Sequence, residues 1–135
     1  MNMTMATVSL IVSIGLGVAA VVAWLMGRKR DFPSHCRVMA VATFVNWLPV
    51  LVVMIPAWLG VLGVGRMDVP HTFAPAAHGV VGLLTQLLMT YTVVRMNWLK
   101  KLPPRRTFWL MRVTLAMWLM AVVGGTAIYV LWYLA

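Results

Sequence analysis

The stretch that decides the fold lies at residues 7–26 and reads TVSLIVSIGLGVAAVVAWLM, without a charged side chain. These 20 residues are enough for a helix to cross the roughly 30 Å hydrocarbon layer of a membrane. A secretory signal peptide would carry positive charge before its apolar stretch. In this chain the charges follow it, at Arg28, Lys29 and Arg30, so the sequence predicts a retained transmembrane helix.

Three further apolar stretches follow, at about residues 38–64, 75–94 and 108–134. Pro49 and Pro56 within the second predict kinks rather than a break, because membrane helices tolerate proline. Of the 135 residues, 63% are hydrophobic and 10% charged, against about 45–50% and about 25% in soluble domains. A soluble globular domain and a disordered chain are therefore excluded. The sequence predicts one all-α domain, residues 1–135, which forms a bundle of four transmembrane helices in up-down order.

The basic residues predict the orientation of this bundle. Ten of the eleven Lys and Arg residues fall in or beside the first and third connections, whereas the second has Arg66, offset by Asp68. Positive charge marks the cytoplasmic side, so we expect both termini outside, in the periplasm or its equivalent. This placement favours membrane topology over nucleic-acid binding. The residues expected to contact anionic lipid or an acidic partner are Arg28, Lys29, Arg30, Lys100, Lys101, Arg105 and Arg106.

Acidic side chains are absent from all four predicted spans, because the only acidic residues are Asp31 and Asp68. A proton-coupled transporter normally needs a carboxylate near the middle of the membrane, and general acid–base catalysis by paired carboxylates needs two. The chain also contains no phosphate-binding loop, zinc-protease motif or nucleophile elbow. Cys36 is the single cysteine, which excludes an intramolecular disulfide. The sequence therefore predicts a protein that is not an enzyme.

His71 and His78 are the candidate cofactor and metal ligands, and both are expected near the outer surface. A neutral imidazole binds haem iron or copper through one ring nitrogen. The alternatives are that His78 hydrogen-bonds a neighbouring helix and that His71 faces water. Gly79, next to His78, is expected to leave space for a flat macrocycle or a lipid tail against the backbone.

Met67 shares the outer side with His71 and is a third candidate metal ligand, since thioethers favour Cu(I). Methionine is also a common apolar filler in helices. His35 is expected at the cytoplasmic interface, where it caps a helix or meets a lipid phosphate. A haem could not bridge His35 and His78, because most of the membrane core would separate them. Hydrogen bonds between helices are expected from three side chains of the third span: Thr85, Gln86 and Thr90.

Four sequence elements resemble a known family. They are the run from His35 to Met39 (HCRVM), His78, the pair Arg105-Arg106, and the closing segment from Trp118 to Tyr129 with its Gly124-Gly125 pair. Together, over about residues 8–133, they are similar to the four-helix bacterial membrane family known as domain-of-unknown-function family 420. The resemblance implies a location in the bacterial inner membrane and a role in haem-copper oxidase assembly, for instance in metal delivery, with His35 and His78 as the recurring histidines.

The chain departs from this family at two positions. Where the family commonly has a further histidine at the outer end of helix two, the sequence reads MIPAW at residues 54–58. Where it often has another before helix four, the sequence reads PPRR at residues 103–106. Without these two histidines, a preformed site of several histidines is not expected.

The sequence thus predicts a non-catalytic accessory subunit or assembly factor of a respiratory or photosynthetic electron-transfer complex, in contact with lipids and other integral membrane subunits. Two alternatives stay open. One is a small b-type cytochrome with His78 as a haem ligand. The other is a copper-handling oxidase assembly protein that uses His71, His78 and Met67. The cofactor would accordingly be haem b, a pigment or copper.

Overall fold

The computed structural model describes residues 3–63, 72–99 and 104–134, apart from the side chains of residues 99, 104 and 105. Within these ranges the backbone is helical almost throughout and contains no strand. The helices are α1 (Met3–Arg28), α2 (Phe32–Pro49), α3 (Ile55–Gly63), α4 (Phe73–Val94) and α5 (Pro104–Tyr129). Three π-helical segments extend them, at Val50–Met54, Arg95–Leu99 and Val130–Leu134.

Four continuous helical segments are long and apolar enough to cross a membrane. They are Met3–Arg28, Phe32–Gly63, Phe73–Trp98 and Arg106–Leu134. This confirms the four predicted membrane helices. Each begins a few residues earlier than the apolar stretch that predicted it, because the helical backbone continues into the flanking polar and aromatic residues.

The second span continues through both of its prolines. Pro49 ends α2, the backbone widens into the π-helical segment Val50–Met54, and the α-helix resumes at Ile55, directly before Pro56. In the π-helical segment the N–H of Ile55 bonds to the carbonyl of Val50, five residues earlier. Because proline cannot donate the usual helical hydrogen bond, a local change of winding is one way to keep the helix continuous.

The helices pack as a closed ring of neighbours. α1 contacts α2, α2 contacts α4, α4 contacts α5, and α5 returns to contact α1. Neighbours are antiparallel: His35 near the start of α2 bonds Ala23 near the end of α1, and Thr7 near the start of α1 bonds Tyr129 at the end of α5. We call the end of the bundle where α1 leads into α2 the basic end, and the opposite end the terminal end.

A tight turn at the basic end joins α1 to α2. The N–H of Arg30 bonds to the carbonyl of Gly27, and that of Asp31 to Met26, in the pattern of a Schellman motif. Arg30 adopts a φ of 60°, a conformation that glycine usually supplies at this position. The short turn keeps α1 and α2 antiparallel and close.

Small residues allow α1 to approach its neighbours closely. Its buried positions recur every three or four residues and are Ala6, Ser9, Ser13, Gly17, Ala20 and Ala23. A compact core cluster in mid-bundle consists of Ala20, Ala42, Met89 and Trp118. Most large apolar side chains face outward, since only 11–28% of the residues in the most apolar window of each span are buried. The lipid chains must therefore solvate most of the apolar surface.

Candidate functional site

A main cavity of about 810 Å³ lies in the terminal half of the bundle. Its walls come from all five helices, and it extends from the level of Asn46 and Gln86 toward the level of Tyr129. Cavities that bind small molecules usually measure about 300–1,000 Å³, so this one has the size of a cofactor site. Among the described residues that line it, none carries a formal charge. The cavity is therefore suited to an apolar or neutral polar occupant.

His78 of α4 lines this cavity, with its imidazole ring packed against two glycines of α5. A Cβ atom added at Gly124 would lie 3.3 Å from Nδ1 of His78, and one at Gly125 would lie 3.4 Å from Nε2. The Gly124-Gly125 pair therefore makes room for the ring. In residues 3–63, 72–99 and 104–134, no side-chain hydrogen bond of His78 is found, so the expected bond to a neighbouring helix is not made there.

The space beside Gly79 is filled by Trp58. The indole of Trp58 lies so close to Gly79 that any Cβ there would overlap it, and its Nε1 donates a 3.0 Å hydrogen bond to the carbonyl of Ala76. The expectation that Gly79 leaves space for a macrocycle or a lipid tail is therefore wrong. An aromatic side chain from α3 already occupies that space, which the sequence could not indicate because the two residues lie 21 positions apart.

A chain of buried amides forms the base of the main cavity. Gln86 Nε2 donates a 3.0 Å bond to the carbonyl of Thr43, and Asn46 Nδ2 donates a 2.7 Å bond to Gln86 Oε1. Since a backbone carbonyl can only accept, the Thr43 end fixes the orientation of both amides. Asn46 Oδ1 is then left as an acceptor with no donor among the described residues. The interhelical bond predicted for Gln86 is confirmed.

Two further polar groups lie near this level. The predicted bond from Thr90 is present, since its hydroxyl accepts a 3.0 Å bond from Trp47 Nε1. Ser13 of α1 lines the main cavity and is 9% exposed, and its Oγ has no hydrogen-bond partner in the described part of the chain. A buried hydroxyl without a partner costs free energy, so Ser13 is a candidate ligand contact.

His35 lines a second, smaller cavity of about 170 Å³ toward the basic end. Its side chain is 9% exposed and its Nδ1 donates a 2.6 Å bond to the carbonyl of Ala23. The expected interfacial contact is therefore wrong, because the ring is buried between helices. A carbonyl accepts only, so Nδ1 carries a proton and Nε2 is the nitrogen left to bind a metal ion, which is the arrangement of many metal-binding histidines.

Soft sulfur donors also line the smaller cavity. Beside His35 they are Cys36, Met39, Met89, Met96 and Met111. Thiol and thioether groups are preferred ligands of Cu(I). Sequence reasoning missed this grouping because the residues belong to three different spans. Within the described ranges, no group of three His, Cys, Asp or Glu residues forms a metal site.

The predicted basic surface is partly described. Arg28, Lys29, Arg30 and Arg106 are exposed, and Arg28 stacks over Trp24 at 5.1 Å from the ring centroid. The remaining candidates lie outside the described residues: Lys100, Lys101 and the side chain of Arg105, together with the candidate metal ligands Met67 and His71.

Comparison with known proteins finds no matching family model, no similar curated protein and no similar solved structure. The resemblance to family 420 stays a prediction.

Proposed function

We propose that this protein is a non-catalytic accessory subunit or assembly factor of a membrane-bound electron-transfer complex. The observation that carries the proposal is the uncharged main cavity with the His78 ring on its wall. Such a cavity can hold a flat apolar cofactor, while no described span offers a carboxylate for acid–base chemistry. The function is thus to hold or present a membrane-soluble redox group.

The outward face of the bundle supports a role beside other membrane subunits. Large apolar side chains are exposed on every helix, for example Leu48, Trp109 and Val123, at 67–69% exposure. These surfaces suit lipid and transmembrane partners equally. A partner complex would cover part of these apolar surfaces. The basic end of the bundle would determine which way the bundle faces beside that complex.

The experiment is purification of a tagged chain in mild detergent, followed by identification of what accompanies it. We expect integral subunits of a redox complex to co-purify, and the activity of that complex to fall when the chain is deleted. Recovery of the chain alone, together with unchanged respiratory or photosynthetic electron transfer after deletion, overturns the proposal.

A small b-type cytochrome is a second candidate, favoured by the exposure of the His78 ring to a cavity of cofactor size. His78 would supply one axial nitrogen to the haem iron. The purified chain would then show a Soret band that His78→Gln abolishes and that the matched variant His35→Gln, in the other cavity, retains. A parent protein without a Soret band excludes this candidate.

Copper handling is a third candidate, favoured by the sulfur donors around His35 in the smaller cavity. Copper analysis of the protein after incubation with Cu(I) would then give bound metal that is lost in His35→Gln. In this test His78→Gln is the matched control. Equal copper content in the parent and His35→Gln excludes the smaller cavity as the site.

A further inference from the structure

We propose that the main cavity binds an isoprenoid quinone, whose neutral ring carries oxygens on opposite edges and whose tail is apolar. This inference rests on the proposed function and specifies the redox group that the cavity holds.

The lining of the cavity favours a neutral occupant. Its described residues include no Arg, Lys, Asp or Glu. A haem brings two propionates and a phospholipid brings a phosphate, and a charge buried in a membrane without a partner is costly. A quinone and its quinol are both neutral, so neither requires an ion pair.

Hydrogen-bonding groups lie at two levels of the cavity. Asn46 and Gln86 mark the base, and His78 lies eight residues nearer the terminal end than Gln86 on α4. At a rise of about 1.5 Å per residue this separation is about 12 Å along the helix. A ring positioned between them can bond through one oxygen at each level, with side chains bridging the remaining distance.

Three polar side chains that line the cavity have hydrogen-bonding capacity that no described residue uses. Ser13 Oγ is buried without a partner, Asn46 Oδ1 has no donor, and the His78 ring has no hydrogen bond. Hydroxyl and imidazole can each donate or accept. Ser13 and His78 can therefore donate to the oxygens of a quinone and accept from the hydroxyls of a quinol, so both redox states are bound.

The cavity reaches the surface of the bundle, which gives the tail a path to the lipid. Leu131 and Trp132 both line the cavity and are 45% and 40% exposed on the outside. Between this edge and the base the walls are mainly apolar, with Leu10, Val53 and Leu83 among them. An apolar tail therefore extends from the ring into the membrane without crossing a polar surface.

The test is a titration of the purified chain in lipid nanodiscs with ubiquinone-1. Binding is followed by the quenching of tryptophan fluorescence, since Trp58, Trp118 and Trp132 line the cavity. We expect saturable quenching, and no comparable saturation with an isoprenoid alcohol that has the same tail but no ring. Equal binding of the alcohol overturns the proposal, because it shows a tail site only.

Variants locate the site. Ser13→Ala and His78→Leu are each expected to weaken quinone binding about three- to tenfold, the effect of one hydrogen bond. Ser34→Ala, at a residue that does not line the main cavity, is expected to bind as the parent does. Unchanged affinity in both cavity variants overturns the proposal.

A measurement of thermal stability shows whether a variant still folds. Ser13→Ala removes a hydroxyl that has no hydrogen-bond partner among the described residues, so the ligand-free variant should be as thermally stable as the parent or more stable.

The quinone site and the proposed function can fail independently. Co-purification with a redox complex in the absence of quinone binding retains the proposed function and rejects the quinone. Saturable quinone binding by a chain that co-purifies with no redox complex retains the quinone site and rejects the proposed function.

Discussion

The indole of Trp58 occupies the position where Gly79 would carry a side chain, and its Nε1 donates a hydrogen bond to the carbonyl of Ala76 one turn earlier. This contact attaches α3 to the first turns of α4. Both residues line the main cavity, so the contact also fixes part of its wall. The position of His78, next to Gly79, depends on the same packing.

Adding a methyl group at Gly79 is expected to destabilise the bundle. Gly79→Ala should lower the free energy of unfolding by about 1–3 kcal/mol, because the new Cβ overlaps the Trp58 indole and the tight packing must shift. Unfolding by SDS in mixed micelles measures the effect.

Gly82 is the matched control on the same helix. A Cβ there meets no atom within 4 Å, so Gly82→Ala should be neutral or raise stability by up to about 1 kcal/mol. Equal effects of the two substitutions would contradict the close contact at Gly79.

The amide chain at the base of the main cavity is expected to act as a unit. Gln86→Leu should cost about 1 kcal/mol, because it leaves Asn46 without its bond to Gln86 Oε1. The double variant Asn46→Leu/Gln86→Leu should be more stable than the sum of the single effects, since neither amide remains unpaired.

Asn97 provides the comparison for this coupling. It bonds within its own helix, to the carbonyl of Val93, and does not line the main cavity. Combining Asn97→Leu with Gln86→Leu should therefore be additive within about 0.5 kcal/mol in the same unfolding assay. Additivity for the Asn46 pair as well would refute the hydrogen bond between the amides.

More of the fold than of the candidate site could be predicted from the sequence. The length of each apolar stretch identifies the four spans, because the thickness of the hydrocarbon layer sets a minimum length for every helix that crosses it. Two of the three polar side chains of the third span, Gln86 and Thr90, make the predicted bonds between helices. The prediction is wrong for Thr85, whose hydroxyl bonds to the carbonyl of Val81 one turn earlier in its own helix. Which space remains empty is a different question, because it depends on side chains from distant spans. Trp58 fills the space beside Gly79, and His35 turns inward to Ala23.

The basic residues predict that both termini lie outside the cytoplasm. A reporter that is active only in the cytoplasm, fused after Ala135, should therefore remain inactive, while the same reporter inserted between Lys29 and Arg30 should be active. Activity of the fusion after Ala135 would reverse the orientation.

The basic residues of the third connection are expected to retain anionic lipid or an acidic partner. Replacing Lys100, Lys101, Arg105 and Arg106 by Gln should weaken retention, with each residue worth about 1 kcal/mol near an anionic membrane. The difference should be largest at low salt, because salt screens exposed charges. Retention measured on anionic vesicles across a salt series tests this, and equal retention at every salt concentration would show that the charges serve insertion only.

Met89 and Trp118 line both cavities and are 1% and 4% exposed. These two side chains therefore lie between the cavity in the terminal half and the cavity toward the basic end. Both side chains are mainly apolar, so they offer water few hydrogen-bond partners at this level. We therefore expect the bundle to leave an ion gradient across its membrane intact, although its two cavities lie at different depths.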